Sequence, residues 1–244
     1  MTEIFGWPQG LGLNVHESLD STNDEARRLA AAGERGPLWI AAREQTAGRG
    51  RRGRVWVSER GNLFATLLTR AAQPVAVQLA FAAGLAAGET MAALAPHARM
   101  TLKWPNDILL DGKKAGGILL EGLTGDALAI GVGLNLAHHP EGTEFPATSV
   151  VALTGSAPAP DDALLRLARR MAAWYEVWRG DGFARVRAAW LTHAAGLGRP
   201  ILARLQGSEM DGVFEDLDED GALLLRQTSG ALARITAGEV FFRT

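Results

Sequence analysis

The order of segment types along this chain restricts its fold more than any single motif does. Helix-like and strand-like periods are interleaved through the first 195 residues, and beyond them helical patterning stops. Thr22 to Ala32 predicts a helix that Ser21 or Thr22 can cap, with Glu25 in its first turns and Gly33 ending it. Leu38 to Arg43 and Leu63 to Thr69 are strand-like. Val75 to Ala95 predicts a long helix, apolar nearly all round and therefore buried. Ile108-Leu109-Leu110, the turn Asp111-Gly112 and Gly117 to Glu121 give a hairpin signal. A second turn starts at Gly125-Asp126 and leads into a strand from Leu128 to Leu136. After the stiff connector Ala157 to Pro160, Asp161 is placed to cap a helix running to about Arg179, and another follows from about Phe183 to Ala194. The pattern is that of a mixed α/β unit.

Gly196-Leu197-Gly198-Arg199-Pro200 then reads as a linker. Short alternating segments follow, punctuated by Gly207, Gly212, Gly221, Gly230 and Gly238, the spacing of a small all-β barrel or sandwich. The expected organisation is one unit over 1–195 and a second over 196–244, in keeping with a length of 244 residues.

Composition excludes several chemistries. With no cysteine there are no disulfides, Cys-ligated zinc, Fe–S clusters or thiol catalysis. A net charge of −2 argues against a protein that wraps nucleic acid over its whole surface. Met1 to Gly12 lacks the basic and apolar regions of a signal peptide, and the Ala-rich stretch Leu79 to Gly88 is too short to span a bilayer. A soluble, cytoplasmic protein is expected, with no membrane association.

Four segments carry chemistry. Gly48-Arg49-Gly50-Arg51-Arg52-Gly53-Arg54 interleaves four arginines with three glycines. The glycines make ordering costly, and the guanidinium forks bind phosphate and carboxylate bidentately. This describes a loop that closes over an anion; alone it would suit RNA about equally well, but no second basic cluster accompanies it. In Lys103-Trp104-Pro105-Asn106-Asp107, Asn106 and Asp107 follow a proline at a strand entry, where they could ligate a metal or hold a ribose. Lys113-Lys114-Ala115-Gly116-Gly117 places two glycines after Lys114, allowing close approach of a backbone or ligand. Gly131-Val132-Gly133-Leu134-Asn135 ends a strand without the helix a dinucleotide fingerprint requires, leaving close packing against a flat ligand. Asp20-Ser21-Thr22-Asn23 is most simply a helix cap, though a helix start also offers free N–H groups.

Basic residues are distributed unevenly. Of 25 Lys and Arg, only Lys103, Lys113 and Lys114 are lysines, all within one short window of these motifs. Lysine is a compact charge on a flexible stem, suited to sit between two anions; Lys113 reads as a solvated hairpin residue.

Taken in order, Ser21-Thr22-Asn23, Gln45 with Gly48 to Arg54, Trp56, Lys103 to Asp107, Lys114 to Gly117 and Gly131 to Asn135 resemble the motifs of biotin protein ligases. Gly221 to Leu225 and Gly238-Glu239-Val240 resemble the small C-terminal domain of that family. The resemblance implies an α/β (α+β) fold: an antiparallel-rich mixed sheet with helices, class II synthetase-like, plus a small SH3-like β-barrel. It implies activation of biotin by ATP to biotinyl-5′-AMP, then transfer to a lysine of a biotin carboxyl carrier protein domain of acetyl-CoA carboxylase or a related carboxylase.

Position by position, the resemblance assigns Lys114, Arg51 and Lys103 to catalysis. Ser21, Thr22, Asn23, Gln45, Gly48, Arg49, Gly50, Arg51, Lys114, Gly117, Gly131 and Gly133 would serve biotin. Arg49, Arg51, Arg52, Arg54, Trp56, Lys103, Asn106, Asp107 and Asn135 would serve ATP, with Mg²⁺ near Asp107 as one route. Only 20 residues precede Ser21, too few for the helix-turn-helix of repressor-type members, so a monofunctional type without DNA binding is expected. Homodimers are common among such ligases, but no dimer edge is marked in the sequence. A lipoate–protein ligase would share architecture and chemistry; the polar side chains of Ser21, Thr22 and Gln45 suit the ureido ring of biotin better. A non-catalytic RNA-binding protein would leave Lys114 and the double-glycine strands unexplained.

Overall fold

The computed structural model describes residues 4–242, so the outermost residues of both expected units, 1–3 and 243–244, lie outside it. The larger sheet contains β1 (Gly12–His16), β2 (Leu38–Ala42), β3 (Leu63–Arg70), β4 (Met100–Lys103), β5 (Asp107–Leu110), β6 (Lys113–Gly122) and β7 (Ala127–Leu134). They lie in the order β1-β2-β3-β7-β6-β5-β4. Only β1 and β2 run parallel; every other neighbouring pair is antiparallel.

Six helices accompany the sheet: α1 (Thr22–Ala31), α2 (Gln73–Ala76), α3 (Gln78–Leu94), α4 (Val150–Thr154), α5 (Pro160–Asp181) and α6 (Phe183–Thr192). Ala26 of α1 packs with Ile40, Leu68, Ala127 and Ala129 in one apolar cluster. The main core joins the other residues of these strands, such as Trp39, Leu67 and Ile130, to α3, α5 and α6. Alternate residues of β2, β3 and β7 therefore enter different cores, and these strands read as continuous apolar runs instead of alternating ones. Small residues let α3 approach closely: a methyl at Gly88 would stand 2.9 Å from Met100 Sδ.

The expected elements are present with shifted ends, and three were not expected. The apolar run 75–95 divides at Val77 into α2 and α3, with Pro74 in the first turn of α2. Strands β1 and β4 occupy the two sheet edges, where mixed polarity and four- or five-residue length leave a weak signal. The five-residue α4 is shorter than a helical period can reveal. Asp161 does not cap α5, which Ala159 precedes; its carboxylate accepts both branches of Arg43 at 2.6 and 2.9 Å.

Strands β8 (Pro200–Arg204), β9 (Glu209–Leu217), β10 (Leu223–Arg226), β11 (Leu232–Ile235) and β12 (Glu239–Phe242) form a second, wholly antiparallel sheet ordered β11-β10-β9-β8-β12. The stretch leading into it is held: Leu102 N–H donates to His193 O and Ala195 N–H to Leu102 O, each at 2.8 Å, covering the edge of β4. Phe214, Leu217, Leu223 and Val240 belong to the same core as α3 and α6. Trp104 Nε1 donates to Gly221 O at 3.0 Å, and Arg187 Nε to Leu217 O at 2.6 Å. Gly221 has φ +85°, and a methyl there would meet the Phe81 ring at 2.5 Å.

Candidate functional site

The KWPND segment is the turn of a hairpin and leads directly into a strand, as expected. Lys103 closes β4 opposite Asp107, which opens β5, and Trp104-Pro105-Asn106 turn between them. Cross-strand pairing brings Lys103 Nζ to 2.9 Å from Asp107 Oδ2. The next strand supplies a second cation, Lys114 Nζ, at 2.6 Å from Asp107 Oδ1. Its placement depends on an irregularity: β5 pairs Ile108 with Gly116 but Leu109 with Lys114, leaving Ala115 as an extra residue. That bulge resets the alternation of β6, so Lys114 and Gly117 open onto the same cavity. Asp107 is buried, and burial by itself would raise its pKa; the two ammonium groups outweigh burial and hold the carboxyl below the usual range. Each oxygen of Asp107 thus faces an ammonium group, and no group of three or more His, Asp or Glu that could hold a metal occurs among the described residues.

The opposite wall begins at α1. Ser21 occupies the N-cap position but makes no side-chain capping bond; the Thr22 N–H instead donates to Gln45 Oε1 at 2.8 Å. Gln45 Nε2 in turn donates to Ser58 Oγ at 2.9 Å. Thr66 of β3 lies 2.8 Å from the Thr22 hydroxyl and donates to Asn23 Oδ1 at 2.6 Å. Asn23 Nδ2 donates to Glu121 Oε2 at 2.7 Å. These groups form one connected polar network in and behind the cavity wall.

The glycines of β7 admit protein side chains. A methyl at Gly131 would lie 2.4 Å from Asn23 Oδ1, and one at Gly133 would lie 2.6 Å from the Trp56 indole. A methyl at Gly117 would also face Trp56, at 3.5 Å. Trp56 thus lies on a glycine floor with Lys114 Nζ 5.5 Å from its ring centroid, and its buried Nε1 has no hydrogen-bond partner. Asn135 contributes in a different way. Its Nδ2 donates to Thr148 O at 3.0 Å and its backbone N–H to Ala115 O at 2.8 Å, holding the segment after Pro146 against β6.

The arginine loop is ordered over this cavity. Gly50 N–H donates to Arg54 O at 2.8 Å and Trp56 N–H to Gly48 O at 2.9 Å, closing the loop on itself, with Arg52 in a left-handed conformation at φ 57°. Arg49 is paired with Asp24, and Arg54 with Glu239 of β12. Arg52 approaches the same Glu239 at 4.0 Å. Arg51 differs. It donates only to neutral acceptors, Asn106 Oδ1 at 3.3 Å and Gly238 O at 3.2 Å, and burial lowers its pKa. Glu239 would be raised by burial, but Arg54 and its neighbours hold it lowered.

Together these walls enclose about 460 Å³. Of the residues singled out in the sequence, Ser21, Thr22, Asn23, Gln45, Arg49, Gly50, Arg51, Arg54, Trp56, Lys103, Asn106, Asp107, Lys114, Gly117, Gly131, Gly133 and Asn135 line it. Gly48 and Arg52 do not. Gly48 lies behind, where a methyl would stand 2.4 Å from Ser58 Oγ, and Arg52 is exposed. Sequence reasoning missed Phe145, Glu239 and Phe241 on the cavity wall, and the buried Thr66 behind it. The Phe145 ring centroid lies 4.5 Å from Lys103 Nζ, and Glu144 pairs with Arg204 of β8 at 2.7 Å. The scattered positions of these residues carried no motif. The Gly238-Glu239 pair after a run of alternating strands was the one available signal.

Residues 15–135 match the model of the biotin/lipoate A/B protein ligase family, and residues 196–243 match the biotin protein ligase C terminal domain. A biotin--[acetyl-CoA-carboxylase] ligase of Paracoccus denitrificans is 46% identical, covering 91% of this chain and 97% of that protein. The bifunctional ligase/repressor BirA of Escherichia coli is 31% identical over 99% of this chain and 77% of its own length. Among solved structures, the biotin protein ligase of Aquifex aeolicus in complex with biotin and ATP superposes with a TM-score of 0.82 at 27% identity, covering 95% of this chain and 98% of that one. A cavity walled by an arginine loop and a doubly paired aspartate, in a chain with these likenesses along nearly its whole length, belongs to a member of the biotin/lipoate A/B protein ligase family, and within it of the biotin protein ligases.

Proposed function

We propose that the chain activates biotin with ATP and transfers it to a lysine of a biotin carboxyl carrier domain, of acetyl-CoA carboxylase or a related carboxylase. In the first step a biotin carboxylate oxygen attacks the α-phosphorus of ATP, the bond to the pyrophosphate oxygen breaks, and biotinyl-5′-AMP forms. In the second, the carrier lysine amine attacks the acyl carbon, AMP leaves, and the amine loses a proton.

The observation that carries this reading is the cationic arrangement at the cavity. Asp107 aligns Lys103 and Lys114, while Arg51 is the loop guanidinium without a carboxylate partner. Two anions meeting in the adenylation step need cations already in place. Lys114 stands where it can lie between carboxylate and α-phosphate, and Arg51 faces the nucleotide as the loop closes. Ser21, Thr22 and Gln45 serve the biotin ring, Trp56 packs on the adenine, and Asn106 supports the nucleotide side. Gly131, Gly133 and Gly117 act by admitting Asn23 and Trp56 to the wall. Mg²⁺, when it takes part, enters on the ATP phosphates as part of the substrate. The loop does not suit RNA, since three of its four arginines face carboxylates of the chain.

The same reading divides the molecule into a catalytic unit over 1–195 and a small unit over 196–244, and places it in the cytoplasm. No helix among the described residues is long and apolar enough to cross a membrane. Incubation with ATP, biotin and a carrier domain, followed by mass spectrometry, should add one biotinyl group to one carrier lysine. Modification by lipoate in place of biotin, or no modification, would overturn the assignment.

A further inference from the structure

We infer that Asp24 is a positioning residue for the arginine loop, fixing its base so that Arg51 at its tip points into the cavity. Asp24 does not line the cavity, and it acts through Arg49. Both branches of the Arg49 guanidinium engage the carboxylate, with Nη2 2.7 Å from Oδ1. The Arg49 and Asp24 side chains retain 35% and 17% exposure, so the pair is partly shielded, and its planar two-branched contact fixes the direction of the guanidinium.

The leverage comes from the loop's own backbone. Arg49 bridges Val55, Gly50 N–H bonds Arg54 O and Arg54 N–H bonds Arg51 O at 3.3 Å, so residues 49–55 form one closed unit standing on Arg49. The tip itself is held by the long bonds from Arg51 to neutral acceptors and by Arg52 at 4.0 Å from Glu239, while Arg54 beyond it pairs with Glu239, so the Asp24 pair is the anchor on the α1 side. Fixing the base therefore fixes the direction of the tip. Asp24 is also joined to the cavity wall: it pairs with Arg27, which reaches Glu121 at 3.3 Å, and Glu121 accepts the bond from Asn23. The side chain that walls the cavity and the loop that covers it share one charged hub. Neutralising Arg49 at this hub also leaves Arg51 as the loop cation available to an incoming anion.

The functional consequence rests on the ligase reading; the tether itself does not. Asp24→Asn preserves shape and removes the charge. In the ligand-free protein, trypsin cleavage within residues 49–54 should accelerate at least tenfold. With biotin and ATP but no carrier, release of biotinyl-5′-AMP into solution should rise at least fivefold, and Asp24→Glu should recover part of both effects. Arg49→Lys, which keeps the charge but loses the fork, should give the same proteolytic signature and covers the case in which Asp24→Asn does not fold. Cleavage within twofold of the parent in folded Asp24→Asn, or in Arg49→Lys if Asp24→Asn does not fold, overturns the inference. If the parent forms no adenylate, the ligase reading fails, while proteolysis still decides the tether.

Discussion

Asp107 joins the two lysines of the site. Its two oxygens hold Lys103 and Lys114; Asp107 and Lys103 are buried and Lys114 is half-buried. Asp107→Asn would leave two cations beside an uncharged amide and should cost about 3–5 kcal/mol in urea unfolding. The pH dependence has a definite sign. Because the folded carboxyl is held below the ordinary 3.8, its stabilisation is complete above that value and is lost only as pH falls through the lower folded one. The stability gap between the parent and Asp107→Asn should stay constant from about pH 7 down to about pH 5 and narrow only in stronger acid. Lys114→Ala removes a different quantity. Asp107 keeps Lys103, so the fold should hold, while biotin-dependent ATP–pyrophosphate exchange should fall about 10²-fold or more. At this scale the sequence was informative about identity and silent about pairing. Lys103 and Lys114 stood out by their rarity, but that one aspartate serves both depends on a bulge at Ala115 that leaves no periodic trace.

At the level of elements, the arginine loop and the β7 glycines do opposite jobs, one covering and one receding. Arg51→Gly should leave the fold unchanged and let biotinyl-5′-AMP escape, so bystander proteins such as albumin become biotinylated in a streptavidin blot. Unaltered selectivity would contradict that role. Gly133→Val should drive Trp56 off its floor, because even a methyl at that position would lie 2.6 Å from the indole; ATP affinity by calorimetry should drop at least tenfold while the melting transition survives. The glycine spacing of β7 signalled close approach, and the approaching group proved to be the chain's own Trp56 and Asn23. Helix α1 gave a similar lesson. Its start was legible from Ser21-Thr22-Asn23, yet the bond that satisfies its first N–H comes from Gln45, far away in sequence, which no local cap rule can supply.

For the whole molecule, the second sheet is part of the site's construction. Its Glu239 and Gly238 O receive the arginine loop, and its Arg204 holds Glu144 of the opposite lip. Its core is continuous with that of α3 and α6, so a fragment ending at residue 195 would expose the Phe81 and Phe183 rings. Such a fragment should show no cooperative thermal transition by calorimetry. The glycine punctuation announced the small sheet, but composition does not say where a sheet docks; that followed from Trp104, Gly221 and the edge of β4.

The positions of the three lysines have a practical side. Lys103 is buried and salt-bridged, Lys114 is held by Asp107 within the cavity, and Lys113 stands exposed beside the Asp111-Gly112 turn. Lys113 is thus the most exposed of the three side-chain amines and lies outside the cavity lining. Among the side-chain amines, an acylating dye would therefore label Lys113 ahead of Lys103 and Lys114, at a point outside the cavity lining.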